Sequence, residues 1–190
     1  YFDIPREIKE ARMSKIYTSR KNRVKVISWL KDFINNYQAD KLQKGLYLYG
    51  NFGSGKTYLI AAAFNELANR GYKTAIIYWS EFLRELKASF DSSFGSKFNY
   101  IKKVPLLLID DIGAEKLTSW SRDEILGPIL QYRMQEKLPT FFTSNFNLKE
   151  LETHFSDAGY KTDKVKAKRI IERINQVAVP MEMISKNNRK

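Results

Sequence analysis

Residues 45–71 read GLYLYGNFGSGKTYLIAAAFNELANRG. A short apolar run ends in a glycine-rich turn. Beyond it Leu59, Ile60, Ala63, Phe64 and Leu67 recur at helical spacing until Gly71 stops the pattern. The turn, Gly50-Asn51-Phe52-Gly53-Ser54-Gly55-Lys56-Thr57, fits G-x-x-x-x-G-K-[ST] and lies where that pattern has meaning, after a strand and at the opening of a helix. Its glycines allow the backbone to curl with N–H groups pointing inward, and the helix behind adds its positive end. Gly50 through Tyr58 are therefore the predicted contacts of a nucleotide. Lys56 is placed to reach its β- and γ-phosphates, and the Thr57 hydroxyl to ligate Mg²⁺.

A loop of this kind needs an acid at the end of a neighbouring buried strand to hold the metal. VPLLLIDDIG, residues 104–113, supplies two. Asp110 is read as the Mg²⁺ partner, and Asp111 as the general base that polarises a water attacking the γ-phosphate. A third apolar run, PTFFTSN at 139–145, also ends in polar residues. If its strand lies between the other two, Asn145 becomes a neutral sensor of the γ-phosphate with Thr143 or Ser144 in support. Asn147 is the better cap for the helix that follows, which leaves Asn145 free.

Around these landmarks strands and helices alternate. KTAIIYWS and AVPMEMI read as further strands. SEFLRELKASF reads as a helix with Ser80 as its cap, and SRDEILGPILQYRMQEK as one opened by a Ser121–Glu124 capping box. DSSFGSKFNYIKK between them reads as looser chain. The strands' apolar runs are nearly continuous, the pattern of a parallel sheet covered on both faces. The predicted fold is α/β: a basic helical segment over 1–42 leading into a P-loop domain over 43–190, with five parallel strands.

Bulk properties narrow the function. With 33 Lys and Arg against 21 Asp and Glu, the net charge is +12, which favours polyanions and nucleic acid above all. No cysteine is present, which excludes disulfides and thiolate metal sites and agrees with an intracellular, cytoplasmic protein. The only histidine, His154, is read as a solvent-facing helix residue, so histidine-based metal or triad chemistry is not expected. No apolar run has membrane length, and no membrane is expected among the partners. A start at Tyr-Phe-Asp suggests a fragment of a longer chain.

GNFGSGKT, LLLIDD, TSN and a basic helix before a last strand, in that order, resemble the AAA+ ATPases over Gln43 to Lys190. The aspartate pair, DDIGAEKLTSWSRDEILGPILQYRM, LPTFFTSNF and AKRIIERI are most similar to the DnaC/DnaI-type loaders of the bacterial replicative helicase, the DnaI proteins of Gram-positive bacteria in particular. That resemblance implies an ATP- and Mg²⁺-dependent ATPase that self-associates, with a replicative DNA helicase and single-stranded DNA as partners. It implies an arginine finger at Arg173, with Arg169 one turn earlier, a further sensor at Arg189, and no helical lid. It also implies single-stranded DNA binding by an insertion that Ser80 to Lys103 fits, where Arg84, Lys87, Lys97, Lys102 and Lys103 mix with Phe90, Phe94, Phe98 and Tyr100. The basic stretch RKNRVK, 20–25, is a second DNA candidate. The zinc-binding module that grips the helicase in this branch is expected to lie outside this chain. Competing readings are a transposition helper ATPase of the related family, a small-molecule P-loop kinase, and a passive nucleic-acid binder.

Overall fold

Two five-residue runs, Leu106–Asp110 and Thr140–Ser144, are buried at every position. They occupy the middle of a parallel sheet whose strands are β1 (Gly45–Tyr49), β2 (Thr74–Tyr78), β3 (Leu106–Asp110), β4 (Thr140–Ser144) and β5 (Ala178–Glu182). The order is β2-β3-β4-β1-β5, every neighbouring pair parallel. The chain is seen in a computed structural model that describes residues 4–16, 21–89, 93–158 and 163–184, with backbone alone at 21 and 22. Helices α1 (Arg6–Lys9), α2 (Lys21–Asn36), α3 (Lys56–Asn69), α4 (Trp79–Ala88), α5 (Phe94–Lys103), α6 (Gly127–Gln135), α7 (Leu148–Phe155) and α8 (Asp163–Val177) accompany the strands. A π-helical turn, Trp120–Leu126, runs directly into α6.

Alternation along the strands divides the core into two layers. Leu46, Leu48, Leu106, Leu108 and Phe141 face α2 and α3, while Tyr47, Leu107, Ile109 and Phe142 face α4 to α8. Phe141 is the hub of the first layer, meeting Phe33 and Phe64 edge-on at centroid distances of 5.0 and 4.9 Å. The N-terminal segment belongs to that layer: Ala11, Ile16, Val26, Leu30 and Phe33 are buried with the strands rather than apart from them.

The three central strands have the near-continuous burial the sequence suggests, but the edge strands alternate, because each has a neighbouring strand on one side only and its outward positions are less covered. Pro180 sits in β5, where an edge strand tolerates a residue that cannot donate to a neighbour. Local expectations fail at four places. Residues 94–103 form α5 rather than looser chain. The helix α4 is capped at Tyr78, which leaves Ser80 inside its first turn. Ser121 lies within the π-turn and exchanges hydrogen bonds with Thr118, so no Ser121–Glu124 box forms. His154 is largely covered, its Nε2 3.2 Å from Glu115 Oε1, because α7 packs beside the loop after β3. Asn147 does cap α7, in a reciprocal box with Glu150.

Candidate active site

The turn after β1 is held by contacts that admit only glycine at two points. Gly50 has φ +152, and a Cβ there would collide with the Met183 carbonyl oxygen. Gly55 has φ +88 and forms the N-cap of α3. Lys56, nearly buried, folds back over the turn. Its Nζ donates to the Asn51 carbonyl at 2.9 Å, the Gly50 carbonyl at 3.1 Å, and Ser54 Oγ and Asn145 Oδ1 at 3.3 Å each. The ammonium thus ties the turn to the tip of β4.

Asp110 ends β3 with its side chain fully buried. Its Oδ1 accepts hydrogen bonds from the Thr57 and Thr143 hydroxyls, both at 2.6 Å, while its Oδ2 has no hydrogen-bond partner. Burial pushes the carboxyl above its ordinary value, and the two hydroxyls pull it part of the way back. A buried carboxylate oxygen without a donor is costly unless something positive completes it. Oxygen donors alone, from one carboxylate and one threonine, suit a hard divalent cation such as Mg²⁺ that takes its remaining ligands from phosphate and water. Among the described residues no cluster of three or more His, Cys, Asp or Glu could hold a metal unaided.

Asp111 adopts φ +55, unusual for a residue other than glycine, and so turns away from the strand that Asp110 completes. Its amide donates to Thr143 Oγ1 at 2.9 Å, so a single threonine hydroxyl serves both aspartates. The next residues are pinned as well. The Ile112 amide donates to the Thr143 carbonyl and Ser144 Oγ to the Ile112 carbonyl, while the Gly113 amide donates to Glu115 Oε2 at 2.7 Å.

One cleft of about 460 Å³ gathers Phe52 through Tyr58, Asp110, Asp111, Thr143 and Asn145. It is walled on the far side by residues of the N-terminal segment, among them Pro5, Ile8, Lys15, Ile16 and Arg23. Gly50 and Asn51 shape the turn from behind rather than line the cleft. Arg173 is elsewhere: it is half-buried on α8 with Nη1 3.2 Å from the Gly127 carbonyl, and Arg169 is exposed one turn earlier. The first turn of α8 is anchored by Asp163, whose carboxylate takes a 2.8 Å hydrogen bond from buried Arg122. Arg189 and Phe90 lie outside the described residues. Thr143 was legible only as support for Asn145. The part played by Arg23 was missed, since RKNRVK was read as a contact for nucleic acid.

Of the aromatics proposed for base stacking, Phe94 and Phe98 stack on each other at 6.1 Å and are packed against the core. Lys102 Nζ lies over the Phe98 and Tyr132 rings, and Lys87 over Trp120. Tyr100 stays exposed.

A phosphate loop after β1, an acid at the tip of β3 and a polar tip on β4 between them, at the point where strand order reverses, define the AAA+ arrangement of the P-loop ATPase fold. The family of IstB-like ATP binding proteins matches residues 22–190, and the chain belongs to it. It is 44% identical over 189 residues to the replicative helicase loader DnaI of Bacillus subtilis (strain 168), covering 98% of this chain and 60% of that protein. It thus spans well under two thirds of that relative's length. A crystal structure of DnaI superposes with a TM-score of 0.88 at 50% identity, covering 96% of this chain and 95% of the other. A crystal structure of the DnaC helicase loader gives 0.78 at 20% identity, over 94% of this chain and 99% of that one, a likeness of fold.

Proposed function

We propose that this domain binds and hydrolyses ATP as the motor part of a replicative helicase loader, setting the helicase on single-stranded DNA. The observation that carries the reading is Asp110: one carboxylate oxygen bonded to the Thr57 hydroxyl, the other buried and unmatched, beside Lys56 in a cleft of nucleotide size. The turn amides and Lys56 would hold the β- and γ-phosphates. Asp110 and Thr57 would hold Mg²⁺, which when bound neutralises phosphate charge. Asp111 takes the proton from water as the water oxygen bonds to the γ-phosphorus, and the bond to the β–γ bridging oxygen breaks to leave ADP and phosphate. Asn145, already tied to Lys56, orients the γ-phosphate.

Arg173 does not line its own cleft, which fits a group that completes a neighbour's site in a self-associated form. Identity to DnaI across almost the whole chain favours the loader over the transposition helper. The N-terminal segment over 1–42 serves as the wall of the ATPase domain over 43–190, and Arg189 as a second arginine at the nucleotide.

ATP turnover measured alone, with single-stranded DNA, and with the cognate helicase tests the reading. A loader responds to at least one of the two. Turnover that neither changes, or phosphoryl transfer to a metabolite, would remove it.

A further inference from the structure

Arg23 reaches the phosphate loop from a part of the chain that the loop motif does not include. It stands near the start of α2, half-buried, and its Nη2 donates a 2.8 Å hydrogen bond to the Ser54 carbonyl oxygen. Ser54 itself is fully buried, and Arg23 also lines the cleft. In a trans peptide the carbonyl of one residue and the N–H of the next form a single planar unit and point in opposite directions. The unit that Arg23 grips is therefore the one that carries the Gly55 N–H, the amide at the mouth of α3 where a phosphate would be met. A cation bonded to the carbonyl draws electron density along the unit and makes the opposite N–H a stronger donor. It also fixes the plane of the peptide, and with it the direction of that N–H.

The loop leaves room for this contact. Glycine is required at 55 by φ +88, and the missing side chain leaves the space that the guanidinium fills, since a Cβ there would lie 2.6 Å from Arg23 Nη2. Lys56 acts on the same loop through its own side chain, with its ammonium on the Gly50 and Asn51 carbonyls. The two cations grip different peptides of the turn.

We infer that Arg23 is a positioning residue of the phosphate cradle. Through the Ser54 carbonyl it aligns and strengthens the Gly55 N–H toward the phosphates of a bound nucleoside di- or triphosphate. This rests on the nucleotide-site reading above. It also gives α2 a hold on the phosphate loop, and through the loop on the nucleotide, which the DNA reading of RKNRVK did not foresee.

The test is calorimetric titration of the full chain with MgADP and MgATP, for the parent and for Arg23→Ala, Arg23→Gln and Arg23→Lys, alongside each protein's melting temperature without nucleotide. Arg23→Ala is expected to weaken both nucleotides about tenfold, as losing a charge-assisted hydrogen bond implies. Arg23→Gln, which can keep a bond without the charge, falls between, and Arg23→Lys recovers most of the affinity. Ligand-free melting changes little, because Arg23 and Ser54 both line the cleft, where water can take over the hydrogen bond to the Ser54 carbonyl. Unchanged affinity in Arg23→Ala would overturn the inference. So would an affinity loss that tracks a fall in ligand-free melting and is no smaller for Arg23→Lys. If the parent bound neither nucleotide, the nucleotide-site reading would fail and this inference with it.

Discussion

The strands β3 and β4 start around one buried charge and end around another. At their foot Arg133 is fully buried and bonded throughout. Nε donates to Thr140 Oγ1 at 2.7 Å, Nη1 to the Val104 carbonyl at 2.6 Å, and Nη2 to the Pro139 and Pro105 carbonyls at 3.0 and 3.2 Å. Burial pushes its guanidinium down to about 9, which still leaves it charged at neutral pH. At their tip Asp110 is equally buried, yet only one of its oxygens is bonded. The arginine closes loop ends that would otherwise leave carbonyls unpaired. The aspartate keeps an acceptor open. Complete satisfaction marks a structural charge and incomplete satisfaction marks a working one.

The largest effect should come from breaking the foot. Arg133→Met strips several buried carbonyls of their donor and is expected to cost about 3–5 kcal/mol in urea unfolding, while ATP affinity of the protein that remains folded is unchanged. Arg133→Lys should recover little of that loss, since one ammonium cannot span the guanidinium's fan of acceptors. At the tip, Asp111→Asn should lower ATP turnover about a hundredfold, the contribution of a general base, with ATP still bound in a filter assay. Normal turnover in that variant would remove Asp111 from the chemistry.

Thr143→Val sharpens the contrast, because its hydroxyl serves Asp110 and the Asp111 amide together. Turnover should fall about tenfold, and the cost in stability should be about 1–2 kcal/mol. The smallest effect has the opposite sign. The carboxyl of Asp110 ionises at a higher pH in the fold than in the unfolded chain, so the fold bears a cost that grows as pH rises through that window and is relieved on acidification. Without divalent cation, Asp110→Asn should therefore be more stable than the parent at neutral pH by about 1 kcal/mol. The gap should close below the unfolded-chain value. Equal stability at neutral pH would mean that Asp110 is satisfied without a cation.

Much of the tip was legible in the linear chain, because GNFGSGKT and LLLIDD each keep their chemistry within a few consecutive residues. The foot was not. Arg133 is the single arginine of α6, and nothing in its sequence neighbours marks it; its partners come from 101–105 and 139–140, which only the packing of α5 and α6 against the strand starts brings to it. The same holds for His154 and Glu115, 39 residues apart and in contact, and for Arg23 on Ser54, 31 apart.

The sequence by itself determined the class of fold and the loop that carries phosphate chemistry, since strand burial, glycine backbone freedom and helix periodicity act over short spans. Tertiary structure alone decided that β4 lies between β1 and β3, that Thr143 joins the two aspartates, and that α2 holds the loop. Those are meetings between distant residues, and their energy depends on burial and on hydrogen-bond direction, which appear only once the layers have packed.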